Sequence, residues 1–159
     1  MDEALSVRVV ESPLGAITIR ASGAGVVAVA FEADARETVG PGDRFIHQAA
    51  RELAEYFAGT RRAFGVALAP DGTAFQRRVW DRLAAVRWGE RVSYDRIARE
   101  TGSVARAVGQ ANAANPIAIL IPCHRVVRAS GDLGGYAGGL DRKQRLLELE
   151  GAGLFAGVC

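Results

Sequence analysis

The sequence predicts an α/β N-terminal domain over residues 1–70, a three-stranded antiparallel sheet plus a helix. A mainly α C-terminal domain over residues 71–159, with a winged-helix-like helix-turn-helix, follows it. Three observations carry this division. The first half holds three β-branched runs separated by tight turns. Ala69-Pro70-Asp71-Gly72 marks the best boundary in the chain. Beyond it, capped amphipathic segments replace the strands, and two of them are short and joined by a glycine.

The strands are Val7 to Glu11, Ala16 to Arg20 and Val26 to Phe31. Between them, Ser12-Pro13-Leu14-Gly15 has Pro at its second position and Gly at its fourth, and Ser22-Gly23-Ala24-Gly25 is glycine-rich; both suit turns. Residues 33–42 are expected to form a mobile loop. Asp43 is then placed to cap a helix whose apolar positions Ile46, Ala49, Ala50, Leu53 and Phe57 face the sheet, with Gly59 past its end. His47 falls beside that stripe and reads as a structural histidine. Phe64 to Leu68 is a candidate further strand. No chemistry is evident in this half, which reads as a scaffold.

In the second half, Thr73 and Gln76 make a capping box, and Phe75, Val79, Leu83 and Val86 define one face of a helix ending at Gly89. Ser93 caps a helix over residues 94–100. After Thr101-Gly102, Ser103 is expected to cap a second, running to about Ala113. That second helix carries Ala105, Ala107, Gly109, Ala111, Ala113 and Ala114, so it can approach another backbone closely, whether a neighbouring helix or a partner's. Arg106 is its long cationic exception. Asn115-Pro116 ends it, because the residue before proline disfavours the helical conformation. Asp141 and Gln144 are expected to cap a final helix whose charges oppose its dipole: Arg142, Lys143 and Arg145 crowd the N-terminal end, and Glu148 and Glu150 the other. Local rules broken in this way often mark function.

Composition narrows the classes. The chain has 159 residues, 49% hydrophobic and 24% charged, enough for one core or two small ones in a soluble globular protein. The longest apolar runs are far too short to span a bilayer, and no signal peptide is expected. Two cysteines give no disulfide framework, and a reactive thiol should be kept reduced, so a cytoplasmic location is expected. Cys123, Cys159, His47 and His124 lack zinc-ligand spacing, so no metal and no cofactor is expected. The net charge is +2, but residues 71–159 hold 13 basic and 9 acidic side chains against 7 and 9 in residues 1–70. The excess suits a surface that meets phosphates. Lys143 is the single lysine among 20 basic residues, which makes it stand out.

Ile121-Pro122-Cys123-His124-Arg125-Val126-Val127 sets a thiol, an imidazole and a guanidinium side by side. A thiolate is the nucleophilic form of cysteine, and a nearby imidazole is a common means of making it. Neighbours in a strand project to opposite faces, so a turn or a bridging water is required for the two to cooperate. A buried cysteine beside a hydrogen-bonded histidine is the competing reading. Five glycines in Ser130 to Gly139 lack the pattern of a phosphate-binding loop. They suit either a plain loop or a backbone folded around a planar ligand, with Tyr136 as an aromatic wall.

The motif resembles the active-site Pro-Cys-His-Arg-Val of the O6-alkylguanine-DNA alkyltransferases, the methylated-DNA-protein-cysteine methyltransferases. The resemblance extends to Arg106-Ala107-Val108-Gly109, Asn115-Pro116, Gly134-Gly135-Tyr136 and Gly138-Gly139-Leu140, about half the chain in the same order. It implies direct-reversal DNA repair: single-turnover, irreversible transfer of an O6-alkyl group of guanine, and of an O4-alkyl group of thymine, to Cys123. The resemblance further implies minor-groove binding and flipping of the nucleotide out of the duplex. Carried over by position, His124 takes the thiol proton through a water, Glu150 orients the imidazole, Asn115 braces the site and Tyr94 protonates the departing guanine. Arg106 fills the gap left by the flipped nucleotide, Ser103 offers helix amides to a phosphate, and Val126 with the Tyr136-Ala137 backbone binds the base. Lys143 faces the base or the DNA. The expected partner is double-stranded DNA carrying the lesion, bound by a protein that is monomeric in solution and able to assemble cooperatively on DNA. No membrane partner is expected. Ala137 departs from relatives that have serine there, and the Gly102-Ser103-Val104 turn is short.

Three rivals are distinguishable. A non-enzymatic relative that binds alkylated DNA would lack Cys123. A helix-turn-helix damage sensor or regulator without transfer activity would be indifferent to Cys123→Ala. A cysteine hydrolase would turn over repeatedly and have no use for Arg106.

Overall fold

The computed structural model describes residues 4–151, and Cys159 lies outside the described residues. The chain forms two compact units. One comprises the residues up to Asp71 together with Pro116–Ala118, the other Gly72–Asn115 and the residues from Ile119 onward. None of the described helices is long and apolar enough to cross a membrane.

In the first unit β1 (Ser6–Val10), β2 (Ile17–Ser22) and β3 (Gly25–Ala30) form an antiparallel sheet in that order. Ser12 and Gly15 close the first turn through both backbone bonds, at 3.1 and 3.0 Å. Helix α1 (Asp43–Phe57) packs on all three strands. Its buried apolar positions are Ile46, Ala49, Leu53 and Tyr56, so Tyr56 takes the place expected of Phe57. Asp43 is not the cap. Gly42 is, because a Cβ there would lie 2.5 Å from the Ala21 carbonyl oxygen, and Asp43 instead accepts the Gly40 N–H at 3.0 Å.

The segment 33–42 is tied down rather than free. Val7 and Thr38 exchange backbone bonds of 3.0 Å, and the Glu37 carboxylate accepts the Val9 N–H. Residues 64–68 give only a bridge from Leu68 to Val26 instead of a strand. The buried Glu52 explains their course, since its carboxylate accepts the Gly65 and Val66 N–H groups at 2.9 and 3.2 Å. Val29 bonds on its far side to Pro116 and Ala118, which brings those residues into this unit.

The second unit holds four α-helices among the described residues. α2 (Ala74–Ala84) opens with the complete Thr73/Gln76 capping box and ends at Ala84, well before Gly89. Val79, Trp80 and Leu83 are its buried residues, and the Trp80 indole donates to the Ala111 carbonyl at 2.9 Å. α3 (Tyr94–Thr101) is capped by Ser93 and stops at Gly102, which is left-handed at φ 69°. α4 (Ala105–Ala113) completes the helix-turn-helix. Its N-cap is Val104, with no side-chain cap bond. Ser103 does not cap it: the Ser103 N–H closes the end of α3 on the Ala98 carbonyl, and the chain needs one more extended residue before it can turn again.

From Ile119 the backbone bends sharply. Ile119 is fully buried yet sits at φ 71°, the one positive-φ residue other than glycine among those described. For a β-branched residue this is strained, and surrounding packing must hold it. The chain then enters a 3-10 turn, Cys123–Arg125, and a two-residue strand β5 (Val126–Val127) parallel to β4 (Val92–Ser93). α5 (Leu140–Leu149) begins after Gly139, so Asp141 lies inside its first turn and caps nothing.

Candidate active site

The 3-10 turn resolves the geometry of the motif. It rotates successive side chains off a strand's alternation, so Cys123, His124 and Arg125 are all buried, at 5, 0 and 5% exposure. The thiol bonds to the Asn115 side chain rather than to the imidazole, and burial pushes its pKa up against that bond and the nearby Lys143 charge. The resting group is therefore a thiol, and a base must deprotonate it.

His124 supplies one. Its Nε2 lies 2.7 Å from Glu150 Oε2, and its Nδ1 is buried with no partner among the described residues. Burial lowers the imidazole below 6.5 despite Glu150, so it is neutral at pH 7. Against an ionised carboxylate the Nε2 must carry the proton, which leaves the Nδ1 lone pair available.

Glu150 stays ionised. Burial alone would raise its carboxyl, but the hydrogen bonds from His124 and Arg125 and the Arg125 charge outweigh that and hold it well below the usual range. Arg125 was not anticipated as a site residue. It grips Glu150 through Nε at 2.8 Å and Nη2 at 2.9 Å, while Nη1 donates to the Val86 carbonyl at 2.6 Å. A buried carboxylate bonded to two groups is oriented as well as charged. The clue was present in the sequence, since Glu150 ends a helix where an acid is unfavourable and Arg125 adjoins the reactive pair.

Asn115 fastens the helix end to the cysteine segment, its Nδ2 donating to the Ile121 carbonyl at 2.8 Å. Asn112, unanticipated, donates from Nδ2 to the Cys123 carbonyl at 3.4 Å.

A cavity of about 640 Å³ opens over Cys123. One wall is α4, through Ala105, Arg106, Gly109, Asn112 and Ala113. Ala105, Gly109 and Ala113 face this cavity, where a Cβ on Gly109 would meet nothing within 4 Å, while Ala111 is buried on the packed side of the helix. Arg106 is exposed at the wall, and so is Arg128. Opposite stand Tyr94 and the glycine-rich segment through Gly134, Gly135, Tyr136 and Ala137. Tyr94 is driven to a higher pKa by burial and by Cys123, and its oxygen accepts the Gly135 N–H, which leaves its own O–H free to donate. Gly134, at φ 74°, is required by that contact, since a Cβ would come within 2.8 Å of the Tyr94 hydroxyl.

Two residues expected in the base pocket do not line the cavity. Lys143 is fully buried and does not line the cavity; its ammonium donates to the Val126, Leu133 and Gly135 carbonyls. Burial lowers it to about 8, so it is still charged at neutral pH and locks the glycine-rich segment to β5 and α5. Val126 is equally buried and spends its carbonyl on Lys143 at 2.6 Å instead of facing the cavity. Ser103, expected to offer helix amides to a DNA phosphate, lies one residue ahead of the Val104 N-cap of α4. No group of three or more metal-binding side chains occurs among the described residues.

A buried thiol and a carboxylate-oriented imidazole, set beneath a cavity walled by the second helix of a helix-turn-helix, form an arrangement suited to nucleophilic chemistry. Comparison with known proteins narrows this. Residues 5–70 match the ribonuclease-like domain of 6-O-methylguanine DNA methyltransferase, and residues 74–152 match its DNA binding domain. A methylated-DNA–protein-cysteine methyltransferase of Methanosarcina acetivorans is 44% identical over 89% of this chain and 96% of its own length. One from Mycobacterium tuberculosis is 44% identical over 90% of each. The crystal structure of the M. tuberculosis protein in complex with DNA superposes with a TM-score of 0.82 at 44% identity, covering 91% of this chain and 92% of that one. The chain belongs to the 6-O-methylguanine DNA methyltransferase family.

Proposed function

We propose that this protein repairs alkylated duplex DNA by moving the O6-alkyl group of guanine onto Cys123, once per molecule. The observation that supports this best is the Glu150–His124 contact of 2.7 Å, which leaves Nδ1 as a buried, unshared base on the residue that follows Cys123, whose thiol burial keeps protonated. The target carbon lies inside the stack, so the nucleotide must be extruded into the cavity over Cys123.

The step balances without a cofactor. His124 Nδ1 takes the thiol proton through a water, and Sγ attacks the alkyl carbon. The new C–S bond forms as C–O6 breaks, with the electron pair staying on guanine. Tyr94 gives guanine a proton, and the imidazolium returns one to the phenolate. The product thioether has no easily displaced leaving group, so the protein is consumed. Arg106 occupies the vacated stack, where a planar cation is well suited, and the Tyr136-Ala137 backbone holds the base. Transfer from O4-alkylthymine follows the same course. The protein works as a monomer in the cytoplasm, where its thiol stays reduced, and several copies can assemble on DNA.

Intact mass after incubation with a duplex carrying one O6-methylguanine tests the reading. One methyl per molecule, mapped to Cys123 and lost in Cys123→Ala, is expected. Unmodified protein that still binds the lesion would replace repair with a damage sensor. Repeated turnover of small esters would favour a hydrolase.

A further inference from the structure

Arg128 lines the cavity over Cys123, and the transfer steps give it no work. It follows β5 directly and is exposed, and its guanidinium makes no ion pair among the described residues. Its backbone is pinned in a tight turn. The Arg128 N–H donates to the Asp132 carbonyl at 2.8 Å, and the Arg128 carbonyl accepts the Gly131 N–H at 2.8 Å, with Gly131 left-handed at φ 98°. The side chain therefore starts from a fixed point on the cavity wall, and its charge is felt inside the site. Burial and Cys123 hold the Tyr94 phenol up while Arg128 opposes them; burial lowers the Lys143 ammonium, and Arg128 adds to the fall. A cation beside a buried lysine is repelled, so the fold itself does not favour one there. The cavity lining sets Arg106 and Arg128 against a single carboxylate, Asp95, and that balance suits an anion entering from outside. An extruded nucleotide brings one: its base descends toward Cys123, but the phosphates on either side of it stay with the strand, each carrying a negative charge. Arg106 is committed to the vacated stack, which leaves Arg128 for a phosphate.

We propose that Arg128 grips a backbone phosphate flanking the extruded nucleotide and so holds the flipped base in the cavity while Cys123 reacts. A guanidinium fork matches a phosphate through parallel N–H donors, which fixes orientation as well as charge. Arg106 fills the place the nucleotide has left, and Arg128 fastens the nucleotide where it has gone. Arg128 touches no reacting atom, so it is a positioning residue. This inference rests on the alkyl-transfer reading.

The test is single-turnover methyl transfer from duplexes carrying O6-methylguanine in which the linkage on the 5′ or the 3′ side of the lesion is, in turn, an uncharged methylphosphonate, with the Cys123 adduct read by mass. At one of these linkages the neutral group should slow the wild-type protein about tenfold, the worth of a charge-assisted hydrogen bond. Arg128→Ala should lose about the same factor on the unmodified duplex and should then be indifferent to the neutral group at that linkage. Its rate should also depend on salt less steeply, by about one ion. A merely structural role for Arg128 would leave the variant as sensitive to the change in the DNA as the wild-type protein. Arg128→Gln keeps much of the length without the charge and gives the same reading should alanine disturb the turn. A wild-type protein unmoved by either neutral linkage, or variants that lose the full factor again when the linkage is neutralised, overturns the proposal while methyl transfer still stands. Absence of methyl transfer by the wild-type protein overturns the alkyl-transfer reading and this inference with it.

Discussion

Glu150 Oε2 meets His124 Nε2 at 2.7 Å while both side chains are fully buried, and the same carboxylate is gripped by Arg125. The pair fixes which imidazole nitrogen is protonated. Glu150→Gln keeps the shape but offers one oxygen where two were used. Transfer to Cys123 should slow by about 10²–10⁴-fold, the usual worth of a positioned general base. Because Glu150 is what holds the imidazole up against burial, the acid limb of the residual rate should move to lower pH. A rate at the wild-type level in single-turnover assays would remove His124 from the reaction.

The same groups set the acid stability. His124 lies below 6.5 in the folded state and Glu150 below 4.5, so the unfolded chain binds more protons in both windows. Stability must therefore fall as the pH drops, first below 6.5 as unfolded histidine protonates, then below about 4.5 as the carboxyl does. Urea melts from pH 8 to 3 should show the decline, and Glu150→Gln should flatten its lower step. An unfolding free energy that rises on acidification through either window would contradict this charge assignment.

Legibility in the sequence differed by element for physical reasons. The Thr73/Gln76 box was readable because both partners are local and reciprocal. Asp43, Ser103 and Asp141 look like caps but are displaced by tertiary demands: contact of Gly42 with Ala21, closure of α3 by the Ser103 N–H, and the left-handed Gly139 before α5. The site motif was legible as chemistry, whereas Arg125 and Asn112 were not, since their partners Glu150 and the Cys123 carbonyl are brought close only by the fold. Lys143 stands out in the sequence, but its surroundings do not. A lone lysine among arginines signals a constraint without revealing that three backbone carbonyls impose it.

Gly134 makes room for Tyr94, so Gly134→Ala should act through that phenol. The added Cβ would fall 2.8 Å from the hydroxyl and 2.9 Å from Cε2 at a backbone angle that L-residues rarely adopt. Transfer should slow by about tenfold or more, and combining the change with Tyr94→Phe should cost little beyond the larger single effect. Additive losses in the double-mutant cycle would show that glycine serves something other than Tyr94.

Arg106 is exposed on the α4 wall of the cavity and is proposed to replace the extruded nucleotide. Arg106→Ala should lower the transfer rate on a fully paired duplex by about 10-fold or more. The deficit should shrink when the lesion faces an abasic site, where unstacking costs less. An equal deficit on both substrates would reduce Arg106 to a phosphate contact, recognisable by a salt dependence that weakens by about one ion.

Lys143 holds three segments that the chain visits separately, so its removal should cost structure before chemistry. In Lys143→Met the Val126, Leu133 and Gly135 carbonyls lose their donor, and buried acceptors left unpaired cost about 1–3 kcal/mol each where water cannot reach them. A loss of about 2–4 kcal/mol in urea melts is expected. Hydrogen exchange should locate the damage, with protection falling at the amide of Gly135, which bonds Tyr94, and not in the sheet of the first unit. Tyr94 would lose its hydrogen bond with the segment, so transfer should slow even below the melting range. A stable protein with full protection at Gly135 would mean the carbonyls find other donors and that the ammonium is not what shapes the cavity wall.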